Sequence, residues 1–295
     1  MRPGLYLAHK PVGPTSFTLV RALQEEVSVS RPSGVCHGGT LDPFAHGLLL
    51  LLVGPATKLM DFVHAAPKVY VAQVSWGAET DNGDLLGKKV AEGDAAALTP
   101  AALDAALLDF VGWRDQVPPA TSAKKVGGEP AYRKAHRGEE VVLPPSRVYL
   151  HAARWAGHQL PFSSTLELTC RGGYYVRALA RDLGRLTGAR AHLTALHRTA
   201  IGPWADPGPD RRVGVFGAGL LPWLPSRGLT DDEAKAARRE QNVPRGLLRP
   251  GTWKFPEGFP DADSPVRGIR GDLLVGLFER RDHELRPVVD LEAGL

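Results

Sequence analysis

Six consecutive apolar residues, Leu48-Leu49-Leu50-Leu51-Leu52-Val53, bounded by Gly47 and by Gly54-Pro55, constrain the fold of this chain more than any other feature. The run is far too short to span a bilayer, so the protein must bury it in its own core. Its length and its flanking breakers suit a buried strand. Periodicity alone leaves a buried helix open.

Around that run, strand and helix signals mix without regular alternation. After the turn-rich Lys10-Pro11-Val12-Gly13-Pro14-Thr15-Ser16, residues 17–27 place Leu19, Val20, Leu23 and Val27 at helical spacing, with Thr15 or Ser16 as the cap. Residues 68–76, rich in Val and aromatics, predict a strand. Thr99-Pro100 opens a helix through Phe110, because Thr caps and Pro suits the first helical position. Strands are predicted at 147–155 and 164–170, followed by Gly172-Gly173 and a helix over 177–186 that Gly188 ends. Such an order argues for an α+β fold.

A chain of 295 residues is about twice the commonest domain size, so a large domain and a small one are expected. A Pro/Gly-rich linker over 202–225 sets the division at 1–227 and 228–295, and the tail is read as a small β-rich domain from its strand-like segments 273–278 and 286–289. Between about 117 and 146 periodicity is lost. The segment holds Pro118, Pro119, Gly127 and Gly128 together with Lys124, Lys125, Arg133, Lys134 and Arg137. Long ordered excursions often carry function, and the plain alternative is a surface insertion.

Hydrophobic content of 43% and charged content of 23% are those of an ordinary soluble globular protein. Cys36 and Cys170 stand far apart with no second Cys or His at metal-ligand spacing, so neither a disulfide framework nor a metal site is expected, and a reducing cytoplasm fits best. No apolar core follows a basic segment at the start, so neither secretion nor membrane insertion is expected. The net charge of +4 leans toward a polyanionic partner. Arg171, Arg177, Arg181, Arg185, Arg190 and Arg198 face a single acid, Asp182, over the same stretch. That stretch is either a phosphate-binding stripe or a solvated basic face.

The densest local signal is His37-Gly38-Gly39-Thr40-Leu41-Asp42-Pro43-Phe44-Ala45-His46-Gly47-Leu48. Paired glycines give the backbone conformations closed to other residues, and Pro43 pushes Asp42 toward an extended conformation, so the loop can present that carboxylate in a fixed direction. Asp before Pro is also an ordinary turn residue. The string resembles the Gly-x-Leu-Asp-x-x-Ala-x-Gly-x-Leu motif of pseudouridine synthases. Lys10-Pro11-x-Gly13-x-Thr15-Ser16 before it and Gly54-x-Ala56-Thr57-Lys58 after it resemble the flanks found in the TruB family of bacterial tRNA pseudouridine-55 synthases. Further matches follow in chain order: Tyr70, Thr80-Asp81-x-x-Asp84-x-x-Gly87, Gln116-x-Pro118-Pro119, Ser122-Ala123-x-Lys125, Gly173-x-Tyr175-Val176-Arg177, Asp182-Leu183-Gly184 and Leu196-x-Arg198. Thr121 departs from the Tyr common in the family before Ser-Ala-x-Lys, and the tail matches the family's PUA-like RNA-binding domain only loosely.

The resemblance implies a mixed, largely antiparallel sheet flanked by helices. It also implies a cofactor-free isomerisation of uridine-55 in the T loop of tRNA, without guide RNA or partner protein. It makes Asp42 the catalytic carboxylate and Arg177 the cation that would favour its ionised form. Tyr70 would stack on a flipped base, with Tyr175 beside it as a proton relay and Leu196 lining the same pocket. Core packing is the alternative for these three. His37 would fill space that the loop bases vacate. Lys10, Lys125, Tyr132 and Arg198 are the remaining RNA-binding candidates, Lys125 and Arg198 as phosphate contacts. His46 has no counterpart and is expected at the surface. Asp81-Asn82-Gly83-Asp84 resembles a calcium loop, but Gly83, Leu85 and Gly87 fall where that loop needs oxygen ligands or its ordered turn, so a hairpin turn is expected. The guide-dependent synthases share the Asp motif, and Ser122-Ala123-x-Lys125 argues against that class. A non-catalytic RNA-binding or tRNA-folding protein is the alternative from outside enzymology.

Overall fold

The apolar run forms a strand, His46–Val53, and both faces of it are covered. Leu48, Leu50 and Leu52 enter one core with Leu5, Leu7, Leu59 and Val63, while Leu49, Leu51 and Val53 enter another with Tyr6, Ala8, Val20, Leu23 and Val27. Successive side chains of a strand point to opposite faces, so an unbroken apolar run is what a doubly covered strand requires. Gly4–Lys10 pairs with it antiparallel, from Gly4↔Val53 to Lys10↔Gly47. Val35–His37 also pairs with it, and Arg212–Val215 extends the sheet beyond Gly4–Lys10. The helix Ser16–Ser28 supplies Val20, Leu23 and Val27. Thr15 Oγ1 accepts from the backbone N–H of Thr18, so Thr15 rather than Ser16 caps it.

This computed structural model describes residues 1–28, 34–122, 124–139, 141–260, 264–291 and 294–295. They fall into two units, one formed by Met1–Pro43, Gly47–Ala66 and Ala200–Leu295, the other by Phe44–His46 and Pro67–Thr199. In the first unit, the segment from Ser226 onward builds a five-stranded sheet in the order Ser226–Gly228, Val266–Arg270, Leu273–Arg280, Glu284–Asp290, Val243–Pro244. Its first pair is parallel and the others antiparallel. The tail is strand-rich as expected, and it also holds a helix, Asp231–Arg238, that its weak apolar pattern hides.

In the second unit the sheet order is Ala191–Ile201, Lys68–Trp76, Ser163–Cys170, Ser146–Gln159, Gly112–Gln116. The last three pairings are antiparallel. Lys68–Trp76 alternates strictly between buried and half-buried positions, which places Lys68, Tyr70, Ala72 and Val74 on one face. The helix Pro100–Leu108 is capped by Thr99, whose Oγ1 accepts from Ala102 N at 3.2 Å. The basic excursion contains a hairpin, Lys125–Val126 with Glu129–Pro130, and a short helix, Ala131–His136. Ala123 and the side chain of Lys125 lie outside the described residues. The architecture is α+β with largely antiparallel sheets, and no described helix is long and apolar enough to cross a membrane.

Candidate active site

Asp42 sits on a loop whose main chain is fixed on both sides of it. Ser16, 1% exposed, accepts from Leu41 N at 2.8 Å and donates to Leu41 O at 3.1 Å. Beyond Asp42, Pro43 O accepts from Gly13 N at 2.8 Å and from Lys10 Nζ at 3.5 Å. Lys10 Nζ also donates to Pro11 O and to Pro14 O, each at 2.8 Å. The two glycines have separate reasons. Gly38 leaves no room for a Cβ, which would lie 2.7 Å from Val63 Cγ1, and Gly39 has φ 132°, a backbone state that favours glycine. Asp42 itself is half-buried.

Lys10 is buried and its ammonium donates to the carbonyls of this turn, so it supports the Asp42 loop from within. His37, half-buried at the end of Val35–His37, accepts from Gly39 N through Nδ1 at 3.4 Å and so belongs to the same turn.

In the second unit, Tyr175 and Arg177 are brought together at the start of the helix Val176–Leu186. Arg177 is 4% exposed. Its guanidinium donates to Asn82 O at 2.8 Å and to Thr121 Oγ1 at 2.7 Å, and lies 3.6 Å from an Asp84 carboxylate oxygen. Thr121, the departure from the family pattern, thus supplies a hydroxyl to Arg177. Asp84 belongs to the expected hairpin turn, between Ala78–Thr80 and Lys89–Glu92, and its carboxylate also accepts from Leu86 N and Asn82 Nδ2 at 2.9 Å each. Gln116 holds the main chain of Tyr175 by two hydrogen bonds.

Tyr70, 7% exposed, shares a strand face with Lys68, and Leu196 is buried two residues before Arg198. Arg198, read from the sequence as a candidate phosphate contact, is 1% exposed. Lys68 is buried beside it. Burial, with the Arg198 charge adding to it, pulls the Lys68 ammonium down to about 7, against a smaller opposing effect of Cys170. Burial pushes the Cys170 thiol up to about 12 and raises the Tyr174 phenol. Sequence reading missed Lys68, whose only signal is its place two residues before Tyr70.

The basic stripe does not form one open face. Arg185 and Arg190 converge on Glu79, and Arg181 bonds Asp182 and Val117 O. Burial opposes the charge of Glu79, but hydrogen bonding and attraction from Arg185 and Arg190 outweigh it and hold the carboxyl below its ordinary range. In the excursion Tyr132 is 38% exposed. His46, expected at the surface, is half-buried and stacks on His197 with ring centroids 4.3 Å apart.

The profile of the TruB family pseudouridylate synthase N-terminal domain matches residues 28–176. The chain is 44% identical over 197 residues to tRNA pseudouridine synthase B of Nitrobacter winogradskyi, an alignment covering 67% of this chain and 54% of that protein. It is 39% identical to the Xanthomonas campestris protein of the same name, over 69% of this chain and 65% of that one. Against these two relatives the chain spans little more than half, and just under two thirds, of their length. The protein of that name from an Arthrobacter species is 36% identical over 98% of this chain and 96% of its own. In overall fold the chain resembles a chain of a solved Cbf5-Nop10-Gar1 complex, with TM-score 0.64 at 19% identity, covering 98% of this chain and 85% of that one. The family match across half of its length and relatives well above 30% identity establish that the chain belongs to the TruB family.

Proposed function

We propose that this protein is a stand-alone tRNA pseudouridine synthase that converts uridine-55 of the T loop to pseudouridine in the cytoplasm. The observation that carries this reading is the clamping of the main chain on either side of Asp42, by Ser16 on Leu41 and by Gly13 and Lys10 on Pro43. A carboxylate that must act on one ribose–base bond needs a direction fixed before the substrate arrives.

In the proposed reaction the uridine is extruded from the folded loop, and Asp42 attacks or assists at C1′ so that the bond to N1 of uracil breaks. The base turns, C5 bonds to C1′ as any bond from Asp42 to C1′ breaks, the hydrogen on C5 leaves as a proton and N1 takes up a proton. The nucleotide keeps its atomic composition, so no cofactor is consumed. Tyr70 stacks on the extruded base at a cost in unstacking of a few kcal/mol. Tyr175 relays the proton, Arg177 favours the ionised Asp42, Leu196 lines the pocket and His37 fills the space left in the loop. Lys125 and Tyr132 contact the T arm from the excursion, and residues 228–295 act as a PUA-like RNA-binding domain beside a catalytic domain of 1–227. Recognition is mainly of RNA shape and backbone, with neither guide RNA nor partner protein.

The test is incubation of the purified protein with an unmodified tRNA transcript and no other additive than buffer and salt, followed by mapping of pseudouridine. Product confined to the T loop is expected. Binding of the transcript without product would instead identify an RNA-binding or RNA-folding protein.

A further inference from the structure

Gln116 ends the strand Gly112–Gln116 and is 3% exposed. Its side-chain amide is used in both directions on one residue. Nε2 donates to Tyr175 O at 3.1 Å, and Tyr175 N donates to Oε1 at 3.0 Å. An amide can donate from one end and accept at the other in this way without carrying charge. Tyr175 immediately precedes the helix Val176–Leu186, and its own side chain makes no capping hydrogen bond there. Gln116 therefore sets the main chain from which the Tyr175 ring projects and from which the helix carrying Arg177 starts.

Further ties join the same short segment to the same helix, among them a hydrogen bond from Arg177 to Thr121 O at 3.4 Å. Val117 O accepts from Arg181 Nη2 at 2.9 Å, and Thr121 Oγ1 accepts from Arg177 at 2.7 Å. Residues 116–121 thus run alongside the helix start and hold it at positions 175, 177 and 181. Of these ties, the one from Gln116 uses both ends of a single buried side chain and acts on the main chain of Tyr175 itself.

We propose that Gln116 is a positioning residue for the isomerisation, acting through the main chain of Tyr175 to aim the Tyr175 side chain and the first turn that bears Arg177. The proposal rests on the roles given to Tyr175 and Arg177 above. Its chemistry gives it a specific signature. In Gln116→Glu the protonated carboxylic acid can still donate to Tyr175 O and accept from Tyr175 N, whereas the carboxylate cannot donate at all and faces a carbonyl oxygen.

The experiment measures single-turnover pseudouridine formation by wild type, Gln116→Glu and Gln116→Leu across pH, with transcript affinity and circular dichroism recorded at each point. The ratio of the Gln116→Glu rate to the wild-type rate should fall about tenfold or more between about pH 5 and pH 8, as the introduced acid ionises. Gln116→Leu should be slow throughout, with transcript affinity within about threefold of wild type and an unchanged spectrum. A ratio that does not move with pH overturns the proposal, as does a loss of rate that appears only together with loss of structure. Wild-type protein run alongside separates the two failures. An inactive wild type removes the functional reading and this one with it, whereas an active wild type with a flat ratio removes only the role of Gln116.

Discussion

Lys68 shows how much one buried charge can govern. Its ammonium is covered by the sheet of its unit, and burial together with Arg198 pulls its pKa from the ordinary 10.5 to about 7. Between those values the unfolded chain holds a proton that the folded chain has released, so stability rises with pH across that window. Cys170 acts in the opposite sense between its ordinary 9.0 and about 12, where the folded chain keeps a proton that the unfolded chain loses. The Lys68 effect is therefore cleanest from about pH 7 to pH 9. Over that interval wild type should gain stability relative to Lys68→Met, by at most about 1.4 kcal/mol per pH unit in denaturant titrations. A difference that stays constant with pH would show that Lys68 remains charged in the fold. At this scale a motif marked Asp42, Tyr175 and Arg177 as candidates, and the structure sets Tyr175 and Arg177 together at one helix start. The burial of Lys10 and Arg198 was not legible, because cations are ordinarily at the surface and no local pattern marks those whose strand position turns inward.

The Asp42 loop is the element on which the proposed chemistry depends, and Ser16 fastens it with two hydrogen bonds. Ser16→Ala removes both bonds to the Leu41 peptide and leaves a buried N–H and C=O without them, at an expected cost of about 1–3 kcal/mol in stability. Single-turnover rates should fall on the order of tenfold to a hundredfold, since a small misplacement of a reacting group is costly. A variant that loses stability yet keeps the wild-type rate would separate the fastening from catalysis. Elements with strong internal patterns were readable: Lys68–Trp76 was found at its full extent, and the helix Pro100–Leu108 through its Thr99-Pro100 start. Ala191–Ile201 was not recognised as a strand, because buried Arg198 occupies an inward position and breaks the apolar alternation. Asp231–Arg238 escaped because alanines alone form its buried face, although Thr230 and Glu233 form a capping box that could have revealed it.

For the molecule as a whole, family membership and fold agree, and charge distribution decides how RNA would be held. Much of the Arg171–Arg198 charge is committed internally, to Glu79, Asp182 and Asp84. In the proposed function, electrostatic attraction to the T arm comes from the excursion. Lys125→Glu should weaken transcript binding and reduce the slope of log affinity against log salt concentration by roughly 0.7–0.9 for each phosphate that is no longer neutralised. An unchanged slope would remove Lys125 from the RNA interface. In the proposed reaction, one half-buried carboxylate on a clamped loop performs the isomerisation. Nucleotide-resolved mapping of a tRNA transcript after single-turnover reaction with Asp42→Asn, beside wild type, tests it most directly. The variant is expected to form no pseudouridine in the T loop and to keep transcript affinity within about tenfold, or roughly 1.4 kcal/mol, of wild type. Pseudouridine formed by the variant at a near-normal rate would contradict it.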